Sequence, residues 1–218
     1  AAVTTAPLTS AATSFAAGVA VGAVAAPRVL YATALYATAE DIPASRFRER
    51  ATLTARVVKV TDGDTFRVSH LPVLAGLRRS DEGKKLSERT LQIRIAAVDC
   101  PETAKFGNAG QQFGDEATDF VKRTLEGRVV RVKLLARDQY QRAVSTVTYR
   151  RGLWRRDLSE ELLKHGFATI YRQGGAEYDG PIERWERLEA AAQRKRIGIW
   201  STEGGVDPAE YKRKLKKG

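Results

Sequence analysis

Two short stretches decide the architecture: VTDGDTFRV at 60–68 and IRIAAVDCPET at 93–103. In the first, Asp62, Gly63 and Asp64 interrupt a run rich in Val and Thr, so one strand ends before the turn and another starts at Thr65. In the second, alternation sets Arg94, Ala96 and Val98 on one face and Ile93, Ile95, Ala97 and Asp99 on the other. An unbroken strand would hold Arg94 and Asp99 apart, so their meeting requires a bend or bulge near the strand end. If the two strands pair, Asp64 and Asp99 converge, and carboxylates fixed at strand ends suit a hard divalent cation. Taken alone, D-G-D-T is also an ordinary turn.

Outward from these stretches, β-rich runs at 52–60, 65–68, 90–98, 129–135 and 144–149 read as five strands bounded by Gly or Asp. A basic connection at 70–89 lies between the second and third, long enough to be an insertion or a functional loop. Helices are expected at three places. Ala117, Phe120, Val121 and Leu125 share one face of a helix at 115–125. Asp157 and Glu160 form a capping box for a second, whose stripe is Leu158 and Leu162 and whose stop is Gly166. A third, at 182–196, turns Trp185, Leu188 and Ala192 inward. His165, Trp154 and Trp185 read as structural. The layout is a small barrel with helices.

The 218 residues carry 37 Lys and Arg against 26 Asp and Glu, a net charge of +11, which favours an anionic partner such as nucleic acid or an anionic membrane face. One cysteine, Cys100, and two histidines, His70 and His165, exclude a disulfide scaffold and a Cys/His zinc site. The charge is uneven. Residues 1–45 hold one base, Arg28, and two acids, Glu40 and Asp41, so the positive excess lies downstream. The chain ends YKRKLKKG, and 201–218 reads as a solvated basic tail.

The stretch at 8–26, LTSAATSFAAGVAVGAVAA, is 19 uncharged residues, close to the roughly 20 that span a bilayer core. It is rich in Ala and Gly, a weak span that would gain from packing on another membrane protein through Gly18 and Gly22 at G-x-x-x-G spacing. The helix could run on to Ala39, with Arg28 snorkelling. An Ala-rich leader or the remnant of a targeting sequence is the alternative. A start at Ala1 with no Met in the chain is read as processing after organellar import, with a trimmed or missing beginning as the alternative.

A third element, RDQYQRAVSTVTY at 137–149, places Arg142 after a turn and before an apolar strand, a position equally open to a surface arginine. The ordered set of DGDT, IRIAAVDCPET and DQYQR, with HGFATIY at 165–171 and RKRIGIW at 194–200, resembles the staphylococcal nuclease family over about residues 51–200. The 70–89 insertion, the DQYQR turn and the N-terminal segment make it most like the membrane-anchored mitochondrial members known from fungi. The resemblance implies an α+β fold, a five-stranded OB-type β-barrel with about three helices. With the N-terminal transmembrane helix, the domains are 1–45 for the anchor, 46–200 for the nuclease and 201–218 for the tail.

What the resemblance implies for chemistry is specific. Asp64 and Asp99 would ligate Ca²⁺ with the main-chain carbonyl of Cys100, and Asp62 would stand in the outer coordination layer. Glu102 would be the general base, while Arg94 and Arg142 would hold the scissile phosphate and stabilise its transition-state charge. Tyr140 and Tyr171 fall near positions where the family binds nucleotides, though a tyrosine at a strand end also packs. Two departures stand out: Cys100 replaces a threonine, and Gln141 replaces the small or acidic residue expected before the catalytic arginine. The implied activity is Ca²⁺-dependent hydrolysis of DNA and RNA to 3′-phosphate products, in a single-pass mitochondrial membrane protein, with the chloroplast as the alternative organelle. Arg78, Arg79, Lys84 and Lys85 on the insertion could add phosphate contacts. Two rival classes are a nuclease-fold structural subunit of a large membrane complex, and a non-catalytic nucleic-acid-binding OB module. The second usually needs aromatic platforms, of which these strands offer few.

Overall fold

The computed structural model describes residues 34–72, 83–104 and 110–202, together with Pro208. A short helix α1 (Ala44–Arg48) leads into strands β1 (Thr52–Val60), β2 (Thr65–His70), β3 (Leu91–Ile95) and β4 (Val98–Asp99). Helix α2 (Gly114–Leu125) follows, then β5 (Val129–Arg137), β6 (Ala143–Arg151) and β7 (Trp154–Asp157). Helix α3 (Leu158–Lys164), β8 (Thr169–Ile170) and α4 (Glu183–Arg194) complete it.

Five strands close into a barrel. The order β3-β2-β1-β5-β6 is antiparallel throughout, and a parallel pairing of β3 with β6 joins the two ends. Among the described residues β7 pairs only with β6, at the edge of the sheet. Two register shifts bend the barrel wall, one between Val57 and Lys59 and one between Leu134 and Ala136. Each explains a break in alternation. After the first, Val60 rather than Lys59 faces inward, and at the second Leu134 and Leu135 are both buried. Phe66, Leu91, Ile93, Val132, Leu134 and Val147 fill the interior, and α2 covers one end with Ala117, Val121 and Leu125.

Three expectations change. The described residues contain four α-helices rather than about three, the extra one being α1, whose Phe47 packs into the core. The run at 90–98 is not one strand: Ala97 takes a left-handed φ of 68° and splits it into β3 and β4. The membrane helix does not run on to Ala39, because from Ala34 the chain is non-helical and lays Tyr36, Ala39 and Ile42 onto the barrel. That strap is fastened at both ends: the Tyr36 amide donates to His70 Nδ1 at 3.2 Å with the rings stacked, and Arg137 donates to the Ile42 carbonyl at 2.6 Å. Among the described residues no helix is long and apolar enough to cross a membrane. Residues 8–26, like Arg78, Arg79 and most of the tail, lie outside them.

Candidate active site

The 62–64 turn is seated by close packing. A Cβ on Gly63 would lie 2.8 Å from Cys100 Cβ and 3.0 Å from Ala117 Cβ, so only glycine lets the turn lie flat between β4 and α2. Asp62 Oδ1 accepts the Asp64 amide at 3.3 Å, which orients the turn. Thr65 Oγ1 donates to Asp64 Oδ1 at 2.9 Å, and the Cys100 amide donates to Asp64 Oδ2 at 3.1 Å.

The bend at Ala97 brings Arg94 and Asp99 together. Its backbone is satisfied from three elements: the Ala96 amide donates to the Ser145 carbonyl, Ser159 Oγ donates to the Ala96 carbonyl at 3.0 Å, and the Tyr171 amide donates to the Ala97 carbonyl. Such support offsets the cost of about 1 kcal/mol or more for a left-handed alanine. The guanidinium of Arg94 fills the inside of the bend, donating to the carbonyls of Ile95 and Val98 at 2.9 and 2.8 Å. It also bridges both acids, at 3.2 Å from Asp64 Oδ2 and 2.8 Å from Asp99 Oδ1. Burial works against the Arg94 charge, but Asp64 and Asp99 outweigh it and hold its pKa above the ordinary arginine value. Burial first, and Asp64 next, push the Cys100 thiol well above the usual cysteine range, so it stays protonated. Asp99, 1% exposed, is steadied from behind. Its strand pairs with β8, and buried Glu189 on α4 accepts the Ile170 amide at 2.8 Å and holds Arg172 at 2.8 Å.

These groups form the floor of a cleft of about 780 Å³. Asp62, Glu102, Tyr140, Arg142 and Tyr171 all reach it. Arg142 stands on a turn closed by Asp138, whose Oδ1 accepts the amides of Tyr140 and Arg142, each at 2.9 Å. Asp138 Oδ2 takes Arg142 Nε at 2.6 Å, leaving the terminal nitrogens of the fork for the cleft. Gln141 is accommodated in this turn at a left-handed φ of 58°. Tyr140 lies 5.3 Å from the Arg142 guanidinium and Tyr171 lies 5.7 Å from that of Arg94, so both aromatic rings flank the arginines. Arg142 and Arg94 belong to separate ion pairs.

Four positioning groups are absent from the sequence reading. Asp138 is one. Gln111 is another: its amide donates to the Glu102 carbonyl at 2.8 Å, and its Oε1 accepts the Glu102 amide at 3.0 Å. Gly114 opens α2 so close to Glu102 that a Cβ there would lie 2.4 Å from the Glu102 carbonyl oxygen. Glu189 is the fourth. A side chain that reaches a loop through its backbone leaves no pattern in sequence.

The donor chemistry of the floor fits a hard cation. Asp64 and Asp99 outnumber Arg94, so the buried trio carries excess negative charge, and every donor is oxygen. Among the described residues no group of three or more His, Cys, Asp and Glu side chains is arranged to hold a metal. A cation held here would therefore have only two carboxylate side chains and complete its shell with carbonyl, water or phosphate oxygens.

A family model described as staphylococcal nuclease homologue matches residues 92–202. The chain belongs to this family. It is 52% identical over 179 residues to "Endonuclease Htp3" of Saprolegnia parasitica, covering 81% of this chain and 83% of that relative. It is 37% identical over 190 residues to "Probable endonuclease LCL3" of Komagataella phaffii, covering 83% of each. To the protein of the same name from Pyricularia oryzae it is 43% identical over 174 residues, covering 76% of this chain and 68% of the relative. The closed five-stranded barrel with its helices is the α+β architecture expected of the staphylococcal nuclease family, and the family with its endonuclease-named relatives makes this chain a nuclease of that type.

Proposed function

We propose that the chain is a Ca²⁺-dependent endonuclease that hydrolyses phosphodiester bonds of DNA and RNA and leaves 3′-phosphate ends. The observation that carries this reading is the convergence of Asp64, Arg94 and Asp99 on the floor of a cleft whose walls present Glu102 and Arg142. Asp64 and Asp99 hold the cation with the Cys100 carbonyl, and Asp62 orders the turn behind them. Bound Ca²⁺ supplies Lewis-acid charge stabilisation at the phosphate. Glu102, fixed through its backbone by Gln111 and Gly114, orients a water and takes its proton. The water oxygen bonds to phosphorus as the bond from phosphorus to the 5′-oxygen breaks, and the departing oxygen takes a proton from solvent water that enters the open cleft. The free nitrogens of Arg142 match the equatorial phosphate oxygens, and Arg94 stabilises growing charge from the floor. Tyr140 and Tyr171 present ring faces to nucleotides in a cleft with little base readout.

We further propose that residues 8–26 anchor the protein in an organellar membrane, that of the mitochondrion, where the span packs against other subunits. Two experiments decide these points. Plasmid and RNA are cleaved with Ca²⁺ and not with EGTA, and Asp99→Asn loses both cleavage and Ca²⁺ binding by calorimetry while remaining folded. Cleavage that persists in EGTA or in Asp99→Asn refutes the site. Carbonate leaves the full chain in the membrane pellet and releases a chain beginning at Ala34; release of both refutes the anchor.

A further inference from the structure

The hairpin that joins β6 to β7 carries the most exposed large apolar side chain among the described residues, Leu153 at 92%, beside Trp154 at 71%. Trp154, read from the sequence as structural, has little to pack against because Gly152 turns the chain at φ 62° and sets both side chains at the tip. Arg150, Arg151, Arg155 and Arg156 flank them in register, Arg150 opposite Arg155 and Arg151 opposite Trp154. All four are exposed, and none has an ion-pair partner among the described residues. No acid occurs between Arg142 and Asp157. Asp157, which follows Arg156, caps α3 through the Glu160 amide, and buried Glu161 is engaged by Lys164 at 3.0 Å. A protruding tip of one aliphatic and one indole side chain within a collar of arginines matches a headgroup layer. Indole favours the membrane interface, leucine the acyl boundary, and guanidinium groups pair with anionic phosphates.

We propose that this hairpin docks on an anionic bilayer surface, with Trp154 and Leu153 entering the headgroup region. Nucleic acid is the competing occupant, since arginine and tryptophan also bind phosphates and bases. Leu153 favours the bilayer: an aliphatic side chain has no ring on which a base can stack, whereas it suits the acyl boundary beneath the headgroups. The placement suits the catalytic reading without depending on it. Arg142 precedes β6 and the tip follows it, about 30 Å away along nine residues at about 3.3 Å each, so the cleft stays open to substrate when the tip is bound.

Trp154 is its own probe. Full-length protein is mixed with vesicles of brominated phosphatidylcholine and phosphatidylserine at 70:30, and emission is compared between wild type and Trp154→Phe. The difference isolates Trp154 from Trp185 and Trp200. Quenching of the Trp154 component is expected, with most of it lost in Arg151→Gln/Arg155→Gln and at high salt, while cleavage of a short oligonucleotide without vesicles is unchanged in Trp154→Phe. No Trp154-dependent quenching overturns the proposal. Equal quenching by vesicles of brominated phosphatidylcholine alone also overturns it, because the arginines then contribute nothing. Quenching by oligothymidylate and not by vesicles overturns it in favour of a nucleic-acid contact.

Discussion

Gly114→Ala tests the placement of Glu102 from outside the catalytic machinery. The new Cβ would lie 2.4 Å from the Glu102 carbonyl oxygen, 2.8 Å from its carbonyl carbon and 3.1 Å from the Thr103 amide nitrogen. Ordinary contact requires about 3.4 Å, so α2 and the Glu102 backbone must separate by roughly 1 Å. A catalytic group misplaced by that much loses on the order of 10² in rate. Overpacking costs about 1–3 kcal/mol, and replacing glycine by alanine in a helix returns about 1 kcal/mol, so the net stability loss is about 0–2 kcal/mol. The protein should therefore remain folded with kcat reduced roughly a hundredfold and KM little changed, because the arginines proposed to hold the phosphate are untouched. Oligonucleotide cleavage at saturating Ca²⁺ measures the rate, and thermal unfolding measures the stability. Gly174→Ala is the control: it lies on the same cleft, its Cβ would meet nothing within 4 Å, and full activity is expected. A folded Gly114→Ala enzyme with wild-type kcat would refute the assignment of Glu102 as the base.

Arg142→Lys keeps the charge but offers one nitrogen where Arg142 uses Nε for Asp138 and its terminal nitrogens for the cleft, so kcat should fall on the order of 10²–10³; unchanged turnover in single-turnover assays would leave Arg142 outside the reaction. His70 has its pKa lowered to about 4 by burial and by Arg46, below the 6.5 of the unfolded chain. Its contribution to stability is therefore present above pH 6.5 and lost as pH falls towards 4, by about 2 kcal/mol at pH 5, a loss that urea unfolding should find missing in His70→Phe. Asp157, the N-cap of α3, has the opposite sign: burial raises its pKa from 3.8 to about 6 against the helix amides, so its contribution is present below about pH 4 and lost as pH rises through 6. Between pH 5 and 7 Asp157→Asn should gain about 1 kcal/mol relative to wild type, and parallel stability curves for the two would contradict the shift.

The sequence reading names the side chains that meet in the cleft because their types and order are unusual, and it requires a bend between Arg94 and Asp99 because an alternating strand cannot join them. It does not locate the bend, since alanine carries no signal for a left-handed φ. The strap at 34–43 is missed for a related reason. Its alanines continue the texture of an apolar tail, and the anchors that fasten it, His70 and Arg137, are remote in sequence. Trp154 is misread because composition cannot distinguish a tryptophan in a core from one at a hairpin tip. Asp138, Gln111, Gly114 and Glu189 act through backbone atoms or through another side chain, and only three-dimensional contact reveals them.

Cys100 turns the floor of the cleft into a clock. It is the molecule's one thiol, buried where the 62–64 turn meets α2, with its sulfur 2.9 Å from the point a Gly63 Cβ would occupy. No reagent reaches it unless that seam parts, so the rate of reaction with an aromatic disulfide counts openings of the floor itself. Labelling much faster than global unfolding would mean that the carboxylate floor breathes separately from the barrel. Labelling at the unfolding rate would mean that it lasts as long as the barrel does.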